Sequence, residues 1–251
     1  MSQAKGKNVI IMTSGLSGSS VLTGLIARAG YWTGYSTFKK QEYETHENQE
    51  LIDLNLRLFR EAGYTGNYLL EFSAPVIRRI AGLYSEIDCG VYRSLVDRCD
   101  EHQPWIWKDP RLWLTIRFWK NVLHLEKCGF ILLTRGPMQS WISSTLRRQI
   151  TTYRYSRDYE ERIRQSIVDF LEENRLPYLH LDYEQLIQQP AAAIERLNLH
   201  LATDLTVEDL KAVYHKPLYK SPRNSLAKHV KAMLIYLKNY SERLDIVTER
   251  E

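Results

Sequence analysis

Short apolar runs alternate with longer amphipathic stretches along the chain. Four of the apolar runs have the length of a buried strand. They are residues 9–12, 105–107, 130–134 and 178–181. The stretches between them place apolar residues three and four positions apart, which predicts helices. Strands that alternate with helices are typical of a parallel sheet covered on both faces, so the pattern predicts a three-layer α/β fold with a central, mostly parallel sheet.

Three apolar stripes locate helices between the predicted strands. They consist of Val21, Leu22, Leu25, Ile26 and Ala29, of Leu51, Leu54, Leu58 and Phe59, and of Ile163, Ile167, Phe170 and Leu171. Gly30 follows the first stripe and is expected to cap that helix. Residues 31–48 are aromatic and charged without clear periodicity, so we expect a loop or lid there. No repeat, low-complexity tract or linker interrupts the chain, which predicts a single domain over residues 1–251.

Composition narrows the range of functions. The chain has 34 lysines and arginines against 30 acids, a net charge of +4, which suits an anionic small ligand but is too small to indicate a nucleic-acid partner. Cys89, Cys99 and Cys128 are scattered without a CxxC pair, which indicates reduced thiols in a cytoplasmic protein. No apolar run approaches the ~18 residues that span a bilayer. The N-terminal residues also lack a signal-peptide core, so we expect a cytoplasmic protein without a transmembrane segment.

The first predicted strand runs into a segment rich in glycine and serine, "TSGLSGSS". Gly15 and Gly18 free the backbone to turn several N–H groups toward one point in front of the predicted helix. Unpaired N–H groups and the helix dipole both favour an anion, and the hydroxyls of Ser17, Ser19 and Ser20 can add donors. The segment therefore predicts a phosphate-binding, P-loop-like turn, although an ordinary serine-capped turn has the same composition.

Two nucleotide-binding classes can be weighed against this loop. A P-loop NTPase has a lysine after the last glycine of G-x-x-x-x-G-K-[ST], whereas Ser19 follows Gly18 here. An ATPase or GTPase is therefore not expected. A small-molecule kinase ranks low for the same reason.

Cations follow two other predicted strands. Lys108 and Arg111 come after residues 105–107, and Arg135 comes after residues 130–134. The carboxyl ends of parallel strands meet at one edge of a sheet, where ligands bind in open α/β folds. Each cation alone would be an ordinary surface charge. Together with the loop at the same edge, they predict a ligand with phosphates at both ends.

Five segments carry a resemblance to a known family. They are "TSGLSGSSVLTGLI", "HENQELIDLNLRLF", "WKDPRLWLTIRFW", "LLTRGPMQSWISSTL" and "LHLDYEQLIQQP", which lie in the family's order between residue 8 and about residue 190. The chain resembles the sulfotransferases that use 3′-phosphoadenosine 5′-phosphosulfate (PAPS), particularly the bacterial-type members. The resemblance implies metal-independent transfer of a sulfuryl group from PAPS to a hydroxyl or amine of a small-molecule, glycan or lipid acceptor, which leaves adenosine 3′,5′-bisphosphate (PAP).

The resemblance also implies a donor site. The loop would hold the 5′ end of the donor through Ser14, Gly15, Leu16, Ser17, Gly18, Ser19 and Ser20. Arg135 and Ser143, eight positions apart, match the pair that binds the 3′-phosphate, and Tyr183 of the Y-E-x-L motif is placed with them. Residues 216–225 loosely match a basic loop over the nucleotide. An alternative is a nucleotide-binding module that keeps the fold without catalysis.

Catalytic roles follow from the same resemblance. Glu47 aligns with the family's acidic segment and is the expected base for the acceptor proton, with His46 beside it and Glu44 in reserve. A charged helix start would look the same. Leu16 departs from the family, which usually has Arg or Lys there. Lys108 or Arg111 would then have to supply the missing cation, and Lys108 is preferred.

Two further groups of residues have two interpretations each. The aromatic residues of the lid segment either line an acceptor pocket or pack against the core; they are Tyr31, Trp32, Tyr35, Phe38 and Tyr43. A basic run either attracts an anionic acceptor or forms a solvated helix face; it comprises Arg147, Arg148, Arg154 and Arg157. None of the seven histidines forms a metal-ligand set by spacing, so no metal is expected.

Overall fold

The structure, a computed structural model, describes residues 6–40, 43–214 and 222–246. Its strands are β1 (Asn8–Met12), β2 (Thr37–Lys40), β3 (Tyr43–Asn48), β4 (Ile106–Lys108), β5 (Cys128–Thr134) and β6 (Tyr178–Asp182). Its α-helices are α1 (Ser19–Ala27), α2 (Gln49–Glu61), α3 (Ala74–Gly82), α4 (Gly90–Glu101), α5 (Leu112–Trp119), α6 (Pro137–Leu146), α7 (Tyr153–Glu173), α8 (Tyr183–Gln188), α9 (Pro190–Leu201), α10 (Val207–Val213) and α11 (Pro222–Lys238).

Four strands form one parallel sheet in the order β4-β1-β5-β6. β1 is central, and its Ile10 lies opposite Trp107 of β4 and Phe130 of β5. The chain leaves β1 toward β4 and then crosses back to β5 on the other side, so the strand order reverses beside β1. A ligand site is expected at the carboxyl end of such a reversal. The sheet confirms the predicted α/β fold, and all four predicted strands lie within one or two residues of the observed ones.

Alternate residues of β1 point into two different cores, because side chains of a strand alternate between the faces of its sheet. Ile10 and Met12 lie in the larger core, with residues of α2, α3, α4, α5 and α7. Val9 and Ile11 lie in the second core, with residues of α1, α9 and α10. Helices therefore cover the sheet on both faces, which gives the three layers. Because both faces of the sheet are buried at β1, nearly every residue of this strand is apolar.

The predicted lid is not a loop throughout. β2 and β3 pair as an antiparallel hairpin, with Phe38 opposite Glu47. Trp32 forms an isolated parallel bridge to Trp105, next to the amino end of β4. Periodicity could not reveal the hairpin, since its strands are polar and partly exposed.

Three of the lid aromatics lie away from the loop edge of the sheet. The Tyr31 hydroxyl lies against Gly6, before β1 begins, and its ring is buried in the second core. The Trp32 ring stacks on His102, and the Tyr35 hydroxyl hydrogen-bonds His102 Nε2 at 2.8 Å. These contacts are at the amino end of the sheet, away from the glycine–serine loop, so the positions of these three residues do not favour the acceptor-pocket interpretation.

The helices match the predicted stripes with one difference. α1 ends at Ala27 with Arg28 as its C-cap, and Gly30 occupies a left-handed conformation (φ 89°) in the turn beyond, so Gly30 is not the cap itself. Of the basic segment 216–225, residues 216–221 lie outside the described residues. In the described part of the chain, we find no helix that combines the length and the apolar character needed to cross a membrane.

Candidate active site

The glycine–serine loop (residues 14–20) connects the end of β1 to the start of α1. Gly15, Leu16 and Gly18 all have positive φ, at 88°, 50° and 82°. Glycine adopts this conformation freely, whereas a leucine there is strained by on the order of 1 kcal/mol. No side chain caps the first turn of α1, so its leading N–H groups are available to a ligand. The backbone thus has the curled form that binds anions.

Two contacts hold the loop in this form. The hydroxyls of Thr13 and Ser17 hydrogen-bond each other across the base of the loop at 2.5 Å. The Ser17 side chain is therefore buried and engaged in shaping the loop. The Tyr183 ring packs directly on Gly18, since a Cβ at Gly18 would lie 2.2 Å from Tyr183 Cε2. The structure thus brings Tyr183 to the loop, as expected, and makes glycine necessary at position 18.

Lys108 lies at the end of β4, beside the loop. Its side chain is 1% exposed, and its Nζ lies 2.5 Å from Glu47 Oε1. The same Nζ donates to Ser20 Oγ at 3.4 Å. The sequence predicted both residues separately, as the substitute cation and as the base. The structure brings them together as one buried ion pair at the start of α1.

Glu44 and His46 precede Glu47 on β3 but have other partners. The His46 ring lies against α1, with Nε2 only 2.8 Å from the position of a Cβ at Gly24. Burial lowers the pKa of His46, and the Lys108 cation lowers it further. Glu44 Oε2 lies 3.5 Å from Lys39 Nζ in an exposed pair. Glu47 is therefore the acidic residue of this group that contacts Lys108.

Arg111, the other candidate for the missing cation, is held by its own neighbour. Asp109 is fully buried and accepts hydrogen bonds from Arg111 N at 2.9 Å and Arg111 Nη1 at 2.8 Å. Asn55 of α2 donates to the other Asp109 oxygen at 2.9 Å and accepts from Trp119 Nε1 at 2.8 Å. The Arg111 guanidinium also lies 4.8 Å from the Tyr68 ring centroid. Arg111 and Lys108 are thus both ion-paired, and Lys108 is the one that contacts the loop, through Ser20.

Arg135 follows β5 and connects three parts of the site. Its Nη1 donates to Ser143 Oγ and to the backbone oxygen of Leu16, both at 2.9 Å. Its Nε donates to Glu184 Oε1 at 3.2 Å, and Glu184 Oε2 accepts from Gly136 N at 2.9 Å. The predicted Arg135–Ser143 pair therefore exists and lies against the loop. A planar guanidinium with several donors is suited to bidentate binding of a phosphate.

The sequence interpretation missed several groups at this site. Glu184 lies within the Y-E-x-L motif, and Asn55 and Asp109 lie within two other segments that resemble the family. These motifs could therefore have pointed to the three residues. Glu160 of α7 had no signal, because it lies in an ordinary charged helix stretch. The basic run proved mostly exposed: the Arg154 side chain is 87% accessible, which favours the solvated-face interpretation.

Comparison with known proteins identifies the family to which the chain is related. A sequence model of the sulfotransferase family matches residues 24–208, most of the chain. This range includes Glu47, Lys108, Arg135 and Tyr183 and begins after the glycine–serine loop. The loop's role therefore rests on its geometry. A search of curated proteins found no match.

Solved structures give the same picture of the fold. The sulfotransferase domain from the Synechococcus PCC 7002 olefin synthase is similar with a TM-score of 0.51 at 18% identity, over 87% of this chain and 82% of that chain. The sulfotransferase domain from the curacin biosynthetic pathway has a TM-score of 0.49 at 20% identity, over 88% of this chain and 80% of that chain. At 18% identity, the likeness to the olefin synthase domain shows a shared fold.

Proposed function

The chain belongs to the sulfotransferase family, and from that premise we propose that it transfers a sulfuryl group from PAPS to a hydroxyl or amine and releases PAP. The observation that carries the proposal is the Arg135–Leu16 hydrogen bond of 2.9 Å. It joins a cation suited to one phosphate directly to a loop suited to another. A donor with phosphates at its 3′ and 5′ positions matches that pair of sites.

The donor would bind along the loop. The backbone N–H groups of residues 14–20 and the start of α1 would hold the 5′-phosphosulfate. Arg135 and Ser143 would bind the 3′-phosphate, with Glu184 fixing the guanidinium from behind. Tyr183, packed on Gly18, would keep the loop open for the donor. This assignment needs no metal, since fixed protein donors neutralise both ends.

The Lys108–Glu47 pair supplies the two remaining chemical needs. As the S–O bond to the 5′-phosphate breaks, charge develops on the leaving oxygen, and a cation beside the loop stabilises it. The contact of Lys108 with Ser20 at 3.4 Å supports that role, in which Lys108 would compensate for Leu16. Glu47 takes the proton of the acceptor as the new bond to sulfur forms. Donor binding would draw Lys108 toward the phosphate and free Glu47 to act as the base.

Leu16 also favours a second candidate, a module that binds the nucleotide without catalysis. Leucine has no cation for the sulfuryl oxygens, so such a protein would bind PAP and transfer nothing. Incubation with ³⁵S-labelled PAPS and a panel of small alcohols, amines, glycans and lipids tests both. Acceptor-dependent release of PAP with labelled product supports the transferase. PAP binding without product for any acceptor supports the module, and binding of ATP with magnesium in place of PAP supports a kinase.

A further inference from the structure

A small cavity borders the glycine–serine loop on the side of α6 and α7. Its floor is formed by Ser14, Gly15 and Leu16, and Leu69 and Leu70 cover it. The cavity measures about 20 Å³, which is room for one water-sized group. A group in the cavity lies against the same loop that we propose for the 5′ end of the donor.

Both apolar and polar side chains line this cavity. The polar ones include Ser140 of α6, Gln149 of the following turn and Glu160 of α7, and no lysine, arginine or histidine is among the lining residues that the structure describes. Ser140 Oγ donates a short hydrogen bond to Glu160 Oε1. Burial raises the pKa of Glu160 to about 7, although this hydrogen bond and the charge of Arg135 both lower it. Glu184 also faces Glu160 and raises its pKa slightly.

One oxygen of the lining lacks a hydrogen-bond donor. Gln149 Oε1 is buried, and no described residue donates to it. Glu160 beside it has Ser140 as the donor to its Oε1. Buried acceptors without donors are costly. The site is therefore incomplete until something donates a hydrogen bond into it.

The two phenols of the lining cannot supply that bond, because both are already used. Tyr155 Oη donates to the backbone oxygen of Leu70 at 2.9 Å. Tyr159 Oη donates to the backbone oxygen of Tyr68 at 2.6 Å. These two bonds fasten residues 68–70 over the cavity. Both hydroxyls therefore already donate to the backbone of that segment.

We propose that this cavity is the acceptor-recognition subsite, in which Glu160 and Gln149 accept hydrogen bonds from a hydroxyl or protonated amine that neighbours the reacting group. The inference rests on the proposed sulfuryl transfer. A carboxylate, phosphate or sulfate at the same place would meet Glu160 without any cation in the lining. The subsite therefore selects alcohols with a second hydrogen-bond donor and rejects anionic ones.

A matched series of alcohols tests the selection. The compounds HO–CH₂–CHX–phenyl, with X as hydrogen, hydroxyl, amino or carboxylate, differ only in the group offered to the cavity. We expect the hydroxyl and amino compounds to exceed the hydrogen compound about tenfold in kcat/KM, mainly through KM, and the carboxylate compound to be the poorest. At about pH 8, where Glu160 is mostly ionised, the preference for the amino compound over the hydrogen compound should fall at least tenfold in Glu160→Gln, since the amide lacks the charge.

Glu161→Gln is the control, because Glu161 is the exposed neighbour on the same helix and pairs with Arg164. It should keep the wild-type preferences. PAP affinity, measured by calorimetry, should be unchanged in both variants. An unchanged preference in Glu160→Gln, or no turnover of any compound by a wild type that binds PAP, would overturn the subsite. Failure of the wild type to bind PAP would instead overturn the proposed function on which it rests.

Discussion

Lys108 Nζ lies 2.5 Å from Glu47 Oε1, and the two side chains are only 1% and 14% exposed. An ion pair this buried has lost most of its hydration, so removing either partner leaves a costly unpaired charge. The pair also contacts the first turn of α1 through Ser20. Two residues that are 61 positions apart in sequence therefore form one unit beside the glycine–serine loop.

Removing Lys108 should separate catalysis from donor binding. We expect Lys108→Met to lower kcat by about 10²–10³, the typical loss on removing one preorganised donor for the transition state, with a modest loss of PAP affinity. Leu16→Arg in that background should restore part of the rate, since it returns a cation to the loop. Steady-state kinetics and calorimetry measure both effects, and a wild-type rate in Lys108→Met would contradict the role of this lysine.

The folding cost of that substitution needs its own control. Lys108→Met leaves the Glu47 carboxylate unpaired, which should destabilise the protein by about 3–5 kcal/mol. The double variant Lys108→Met/Glu47→Gln should regain much of this stability in chemical denaturation, which would trace the loss to the unpaired carboxylate. Because Glu47→Gln lowers kcat by itself, the role of Lys108 in the rate is tested in Lys108→Met alone, under conditions where denaturation shows that variant to be folded. A wild-type rate of the folded Lys108→Met variant would mean that Lys108 only supports the fold.

Glu47 can be tested as the base with a matched neighbour. Glu47→Gln should lower kcat by about 10²–10⁴ while PAP affinity stays near that of the wild type, because proton removal matters only in the chemical step. Glu44→Gln is the control, since Glu44 makes an exposed pair with Lys39. Unchanged turnover in Glu47→Gln would move the role to His46 or Glu44.

Arg135 should discriminate between nucleotides with and without a 3′-phosphate. A charge-assisted contact is worth about 1.5–3 kcal/mol, so Arg135→Ala should weaken PAP about tenfold or more. Adenosine 5′-phosphosulfate, which lacks the 3′-phosphate, should bind with little change. Arg154→Ala is the control, because its side chain is 87% exposed. Equal weakening of both nucleotides would show that Arg135 only orders the loop through Leu16.

Glu160 should make the folding stability of the protein depend on pH, which can be measured without substrate. The pKa of Glu160 rises from 4.5 to about 7 on folding because the carboxyl is buried. The folded protein then binds more protons than the unfolded chain between these values, so this group's stabilising contribution is lost as the pH rises from about 4.5 to 7. The loss is at most about 3 kcal/mol.

The Glu160→Gln variant isolates that contribution. Between pH 5 and pH 8, the unfolding free energy of the wild type should fall relative to that of Glu160→Gln. Above pH 8 the difference between the two should stay constant. Urea denaturation at a series of pH values measures it. The Glu161→Gln variant should show no such change over this range, and a flat difference for Glu160→Gln would contradict the buried carboxyl.

The local sequence pattern was enough to predict the parts of the site that lie directly after strands. β1 and β5 are continuous apolar runs, and the loop and Arg135 follow them within a few residues. Because the strands are parallel, their carboxyl ends lie at the same edge of the sheet, and no other contact has to be known to predict this. The Arg135–Ser143 pair was predicted from the family resemblance, and the two side chains are in contact in the structure.

Contacts between distant elements could not be predicted in this way. The Asn55–Asp109 hydrogen bond joins residues 54 positions apart, and its existence depends on how α2 packs beneath β4. Glu160 reaches the site only because α7 packs on α6. The hairpin of β2 and β3 was missed because its stability comes from cross-strand pairing. Such pairing does not produce a regular spacing of hydrophobic residues along the sequence.

The most direct test of the central claim follows the sulfuryl group itself. Purified protein is incubated with ³⁵S-labelled PAPS and the acceptor panel, with and without EDTA, and both labelled product and PAP are quantified. We expect equal amounts of labelled product and PAP, which form only with acceptor, persist in EDTA and fall about 10²–10³-fold in Lys108→Met. PAP bound by the wild type with no labelled product from any acceptor, or turnover that EDTA abolishes and a divalent ion restores, would contradict the claim.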